Sequence, residues 1–229
     1  MRFDVWSHHP YTLGGPQHQA ENPDDVSVGD LPDVKRLLDR AYALGALPAK
    51  PRFWITEFSW DTNPPDAGGV PVELHARWVA EVLYRMWKLG ISQVTWFQLR
   101  DKPISQAPGG NWQSGLYFLD GRAKPALQAF RFPFVAFRSG KKRVSVWGRT
   151  PGSDRRKVRI EQQGRKKRWR LLKVVRSDRN GIFTARPKRR GKRPVRARLV
   201  KVGTGSRPFA LGRTPDIPTG LFGTNTPSG

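Results

Sequence analysis

Arg52-Phe-Trp-Ile-Thr-Glu57-Phe-Ser-Trp60 decides how this chain is read. It is a short apolar run that delivers one carboxylate, Glu57, to its C-terminal end and brackets it with aromatics. A parallel strand buried on both faces reads as an unbroken apolar or β-branched run. A charge at the end of such a strand has left the core for the crevice where α/β folds do chemistry. An isolated Glu in that position serves equally well as a structural partner for an Arg, so the neighbouring segments have to decide.

They repeat the pattern. Phe3–Ser7 is a second short run and ends in His8-His9-Pro10-Tyr11; Ser92–Arg100 is a third, carrying Trp96 and running into Asp101. Helical patterns lie between them. Asp30 is expected to cap a helix with Pro32 in its first turn, apolar positions at Leu31, Val34, Leu37, Leu38, Ala41 and Leu44, and Gly45 at its stop. A second helix starts at Pro71, buries Leu74, Trp78, Val79, Val82, Leu83 and Met86, and stops at Gly90. Strand, helix, strand, helix, strand with one-handed crossovers predicts a parallel sheet. The strands Phe3–Ser7, Phe53–Phe58 and Val94–Leu99 are expected side by side in chain order, with polar and aromatic groups gathered at one end.

These residues resemble the clan A glycoside hydrolases, the TIM-barrel group that includes the cellulase-like family 5 and the xylosidase-like family 39. Trp54-Ile-Thr-Glu57-Phe-Ser-Trp60 resembles the seventh strand of that group, where the strand-end Glu is the catalytic nucleophile. His8-His-Pro-Tyr11 resembles the end of the sixth strand, whose His and Tyr contact the nucleophile and the sugar. Thr95-Trp96-Phe-Gln-Leu-Arg-Asp101 resembles the eighth, whose Trp forms the floor under the sugar, and Gly121–Phe130 resembles the last barrel helix. The resemblance spans residues 2–133 and implies an O-glycosyl hydrolase acting on a poly- or oligosaccharide, with no cofactor, in a secreted, extracellular parent protein. The resemblance implies strand 6 to helix 8 of a TIM (β/α)8 barrel; with the small β-sandwich read from the strands after it, the expected fold class is α/β followed by all-β.

The chemistry explains the residue types. A retaining glycosidase needs one carboxylate to attack the anomeric carbon and a second carboxyl about 5 Å away to protonate the leaving oxygen. Glu57 is the expected nucleophile. Aromatic faces stack on the apolar face of a pyranose, a role open to Trp60, Trp96 and Trp112, although a lone strand Trp serves as readily to fill a core. His9 and Tyr11 are the expected substrate-binding neighbours that orient Glu57. His18, in a loop, and His75, on an expected helix surface, are read as bland. The acid/base Glu of the family lies at the end of the fourth strand, and the resemblance begins at the sixth. The chain alone is therefore expected to be an inactive fragment of the enzyme, since a whole barrel takes about 250 residues.

Charge divides the chain near residue 133. Residues 1–133 hold 14 basic and 14 acidic residues, leaving 28 basic and 4 acidic for the remainder, which carries the whole net +24. An asymmetry of this size marks two modules. Val144–Val146, Val158–Ile160, Trp169–Val175, Ile182–Phe183 and Val195–Val202 alternate apolar and basic residues between turn signals at Pro151-Gly152, Gln163-Gly164, Asn180-Gly181 and Gly191. They predict a basic β-sandwich accessory domain over 134–212, followed by a disordered Gly/Pro/Thr tail over 213–229. Its basic runs suit either a solvated outer face or an anionic polysaccharide or cell-wall polymer. Nucleic acid, bound without catalysis, is the less favoured second class, because aromatics are sparse and no nucleic-acid-binding motif is present. The absence of cysteine excludes disulfides and thiol chemistry. No apolar run reaches the ~18 residues of a membrane span. His8 and His9 are adjacent, which points them apart and argues against a metal site.

Overall fold

The computed structural model describes residues 2–104 and 112–217. These residues form a mixed α/β structure with three α-helices and several β-sheets. The chain divides into two compact units. One takes the described residues of Met1–Trp78, Arg85–Pro125 and Pro215–Gly229; the other takes Val79–Tyr84 and Ala126–Thr214. The sequence placed the division near residue 133. The units divide instead at Pro125/Ala126, and the second also claims six residues from the middle of a helix that belongs otherwise to the first.

In the first unit, β1 (Val5–His8), β2 (Arg52–Ile55) and β5 (Gln93–Val94) form a parallel sheet in chain order. Register runs from Val5 opposite Arg52 to His8 opposite Ile55, and from Trp54 opposite Gln93 to Ile55 opposite Val94. The strands are shorter than expected, and the third holds only two residues. Phe53 and Ile55 are buried and Trp54 only partly so, so β2 alternates rather than burying both faces. Each of the two buried side chains contributes about 1.5–3 kcal/mol by leaving water. β3 (Thr62–Asn63) and β4 (Val70–Pro71) form a separate parallel pair.

Helix α1 spans Leu31–Ala43 and α2 spans Val72–Lys88. Both stop where the sequence predicts, at glycines with positive φ: Gly45 at +74° and Gly90 at +76°. Only a residue without Cβ enters that conformation freely. Asp30 does not cap α1 with its side chain. Its carboxylate reaches back to the amides of Ala20 and Ser27 at 2.8 and 3.0 Å, closing the 3₁₀ turn Val28–Asp30 that precedes the helix.

The second unit contains α3 (Pro125–Arg131, from Ala126 onward) and two three-stranded antiparallel sheets. One sheet runs β10 (Ile182–Ala185), β7 (Arg143–Arg149), β6 (Phe134–Ser139); the other runs β11 (Val195–Leu199), β8 (Lys157–Gln163), β9 (Trp169–Arg176). Its core draws Phe134, Val135, Val144, Val146 and Phe183 from the first sheet and Val158, Ile160, Val195, Ala197 and Leu199 from the second. From the helical segment Val79–Tyr84, Tyr84 packs its ring on Phe137 and Trp147 at 5.6 and 5.5 Å. Strand β6 was not among the expected runs: its Phe-Val-Ala-Phe follows α3 after only Phe132 and Pro133, with no turn signal to announce it.

Residues 213–217, within the expected tail, make polar contacts in both units. In the second unit the Thr214 hydroxyl donates to Glu81. In the first, Trp78 Nε1 donates to the Pro215 carbonyl at 2.9 Å, and Asp216 accepts from the Gly15 amide at 2.5 Å and contacts His18 at 3.1 Å. Residues 218–229 lie outside the described residues.

Candidate active site

Glu57 lies two residues beyond the end of β2, in an extended segment. Its flanks are anchored: Phe58 and Trp60 are 1% and 3% exposed, whereas the Glu57 side chain keeps 30% of its surface open. Backbone bonds extend the sheet to this point, Thr56 N to His8 O at 3.3 Å and Thr95 N to Ile55 O at 2.9 Å. They bring the ends of β1 and β5 level with the carboxylate.

Two groups meet it from the first strand. His9, level with Thr56, places Nε2 3.0 Å from the Thr56 hydroxyl and Nδ1 4.0 Å from Glu57 Oε2. His8, pointing the other way, bonds the Val26 carbonyl at 2.9 Å. A tight turn at Pro10, closed by Tyr11 N to His9 O at 3.0 Å, swings Tyr11 back. Its hydroxyl donates to Glu57 Oε1 at 2.5 Å. Burial first, then the hydrogen bond and charge of Glu57, push the Tyr11 phenol far above its ordinary value, so it remains a donor across the accessible pH range. Glu57, Tyr11 and His9 thus lie together at the end of the first two strands.

The tryptophans divide. Trp60 is not a platform. Its ring packs against Phe58 (5.8 Å), Trp78 (5.3 Å), Trp96 (6.0 Å) and His75 (6.4 Å), and its Nε1 donates to the Gly14 carbonyl at 2.8 Å. Past β2 the alternation ends: Phe58, Ser59 and Trp60 are all buried, so Trp60 is spent in the core while Glu57 stays partly open. Trp96 joins the same cluster, edge-on to Phe58 at 5.1 Å with Nε1 bonded to the Ser114 carbonyl at 2.9 Å, and keeps 8% of its surface open. Trp112, partly exposed, sits edge-on to Phe97 at 4.7 Å.

Four titratable groups to which the sequence reading gave no role have shifted proton affinities. His75, expected on a helix surface, is fully buried, its ring 5.4 Å from Trp96 and neither nitrogen bonded. Its position three, four and seven residues before Trp78, Val79 and Val82 was the available signal, for that spacing is one helical stripe. Burial, followed by the charge of Lys124, holds its pKa down to about 3. Lys124 and Asp101 form a buried ion pair at 2.7 Å, and the ammonium also donates to the Thr62 hydroxyl at 2.7 Å and the Gln113 carbonyl at 2.6 Å. Burial pushes both toward their neutral forms, and their mutual hydrogen bond opposes it. Asp61, next to Trp60, accepts from the Gln113 amide at 2.8 Å, and burial raises its pKa to about 6.

Two of these shifts predict opposed pH dependences. The depressed His75 contributes stability that is present above 6.5 and lost as pH falls toward 3, in total about 4–5 kcal/mol at 1.36 kcal/mol per unit. The raised Asp61 contributes stability that is full below 3.8 and lost as pH rises through 6, about 3 kcal/mol in total. Asp61→Asn retains the acceptor for Gln113 but cannot ionise. It is expected to stabilise the protein by about 2–3 kcal/mol at pH 7 and by less than about 1 kcal/mol at pH 4. Urea midpoints at the two pH values check this; an equal gain at both would refute the burial of an ionised Asp61.

Among the described residues no cluster of His, Cys, Asp and Glu is arranged to hold a metal ion, and no helix is long and apolar enough to cross a membrane. No family model and no curated protein matches the chain. Among solved structures it is similar to a family 39 glycoside hydrolase from the gut symbiont Bacteroides cellulosilyticus WH2. Identity is 14%, the TM-score is 0.45, and the match covers 80% of this chain and 44% of that one. The chain thus spans less than half the length of that structure.

Proposed function

We propose that Glu57 is the nucleophile of a retaining glycoside hydrolase and that residues 1–133 are the sixth to eighth βα units of a TIM (β/α)8 barrel, with β1, β2 and β5 as its last three strands. The observation that carries the reading is the Glu57 carboxylate at the open end of the central parallel strand, held by the Tyr11 hydroxyl at 2.5 Å with His9 beside it. A half-buried donor that fixes one oxygen leaves the other free to attack an anomeric carbon, which is what covalent catalysis asks of a carboxylate. The partly exposed His9 and Trp112 are the proposed sugar contacts, with Trp96 as the floor; Trp60 supports Trp96 from the core.

The test is covalent capture. A 2-fluoro glycoside with a fluoride or dinitrophenyl leaving group needs no protonation to depart, so it reports on the nucleophile alone. Incubating the chain with a panel of such donors and mapping the adduct by peptide mass spectrometry is expected to place one glycosyl group on Glu57. An adduct on any other residue, or none with any sugar of the panel, would end the proposal.

A further inference from the structure

The second unit has a cleft of its own, about 550 Å³, within the roughly 300–1,000 Å³ typical of ligand sites. Its lining includes four arginines, Arg165, Arg170, Arg190 and Arg193, with Gln163 and Leu172, and no acidic residue. All four arginines are exposed, and among the described residues none forms an ion pair with a carboxylate. The acidic side chain of β8, Glu161, is already held by Arg159 and Arg196 at 3.0 Å each, so it does not neutralise the cleft.

The cleft is built rather than incidental. Gln162 is 2% exposed and spends both ends of its amide on the loop that carries two of the arginines. Its Oε1 accepts from the Arg190 amide at 2.6 Å and its Nε2 donates to the Arg193 carbonyl at 3.0 Å. Arg193 in turn bonds the Gly164 carbonyl at 2.7 Å, tying that loop to the turn bearing Arg165. Within this turn Lys166 and Lys167 hold φ of 57° and 58°, a conformation costly to residues with a Cβ. Backbone kept in such a state collects at binding sites.

We propose that this cleft binds acidic oligosaccharide, its arginines pairing with carboxylate or sulfate groups of the chain. Planar guanidinium forks match those groups in a two-pronged way that a lysine does not. Nucleic acid is disfavoured by the lining, which offers no aromatic face for a base to stack on. The nearby Trp169 has its ring covered by the Arg196 guanidinium at 4.1 Å. The proposal stands whether or not Glu57 is a nucleophile.

Calorimetric titration of the whole chain with an oligogalacturonate of about six residues, at near-physiological ionic strength, tests it. The Arg170→Gln/Arg190→Gln variant is expected to bind at least about tenfold more weakly, or about 1.4 kcal/mol. Arg179→Gln/Lys201→Gln removes the same charge from exposed sites away from the cleft and should cost less than about threefold. Arg170→Lys/Arg190→Lys keeps the charge but not the forks, should also lose about threefold or more, and carries the comparison if the glutamine pair does not fold. Equal losses in the two charge-matched glutamine variants, or no preference over a neutral maltooligosaccharide, would overturn the site. A preference of about a hundredfold for an oligothymidylate of equal charge would reassign it to nucleic acid.

Discussion

Glu57→Gln is expected to slow transfer of a sugar from a dinitrophenyl glycoside to the protein by about three orders of magnitude or more, which is about 4 kcal/mol of barrier. The substitution is nearly isosteric and still accepts the Tyr11 hydrogen bond through its amide oxygen, so the fold and the neighbouring side chains have no reason to move. What is lost is the negative oxygen that attacks the anomeric carbon. Stopped-flow release of dinitrophenolate from wild type and variant reads the step directly. Equal rates, or no release from the wild type with any sugar tried, would remove Glu57 from the role. Added azide, which takes the place of a missing nucleophile, should restore release with inverted stereochemistry in Glu57→Ala, whose shortened side chain leaves room for it.

Behind this site, Lys124→Met is expected to destabilise the first unit by about 3–5 kcal/mol, because it leaves the Asp101 carboxylate buried with no cation. Both side chains of the pair are fully shielded from solvent, and one Asp101 oxygen already lacks a hydrogen-bond partner. The loss would extend to the Thr62 hydroxyl and the Gln113 carbonyl, which the ammonium also serves. Replacing both partners, Lys124→Met with Asp101→Leu, should recover most of the stability, since a buried pair repays little more than its desolvation. Urea unfolding of the two variants separates these cases. A single variant that loses less than about 1 kcal/mol would mean that water reaches Asp101.

The parts of this structure legible in the sequence were those written in local order. Strand ends and helix stops are local, so the parallel sheet and the glycines at 45 and 90 follow from spacing and turn chemistry, whereas the approach of Tyr11 and His9 to Glu57, 46 and 48 residues away, was expected from the family resemblance. The burial of Trp60 was not legible, because the alternation of β2 ends before it and Phe58, Ser59 and Trp60 are buried in succession. The Lys124–Asp101 pair was not legible, because 23 residues separate its members and only the folded chain brings them together. His75 lay on a legible buried stripe with Trp78, Val79 and Val82, but its proton affinity, like that of Asp61, was hidden for a related reason. Their unusual proton affinities come from burial, and burial is a property of the packed unit rather than of the residues beside them.

The six residues Val79–Tyr84 bear on how such a protein is inherited. They sit in the middle of helix α2, yet they belong to the unit built mainly from residues after 125. A recombination event that broke the gene near codon 133 would carry off the basic sheets without Tyr84, the ring packed on Phe137 and Trp147, and without Glu81, the acceptor for Thr214. The transplanted piece would arrive with a hole in its core. Moving the second unit to a new partner would therefore require the six residues Val79–Tyr84 to travel with it.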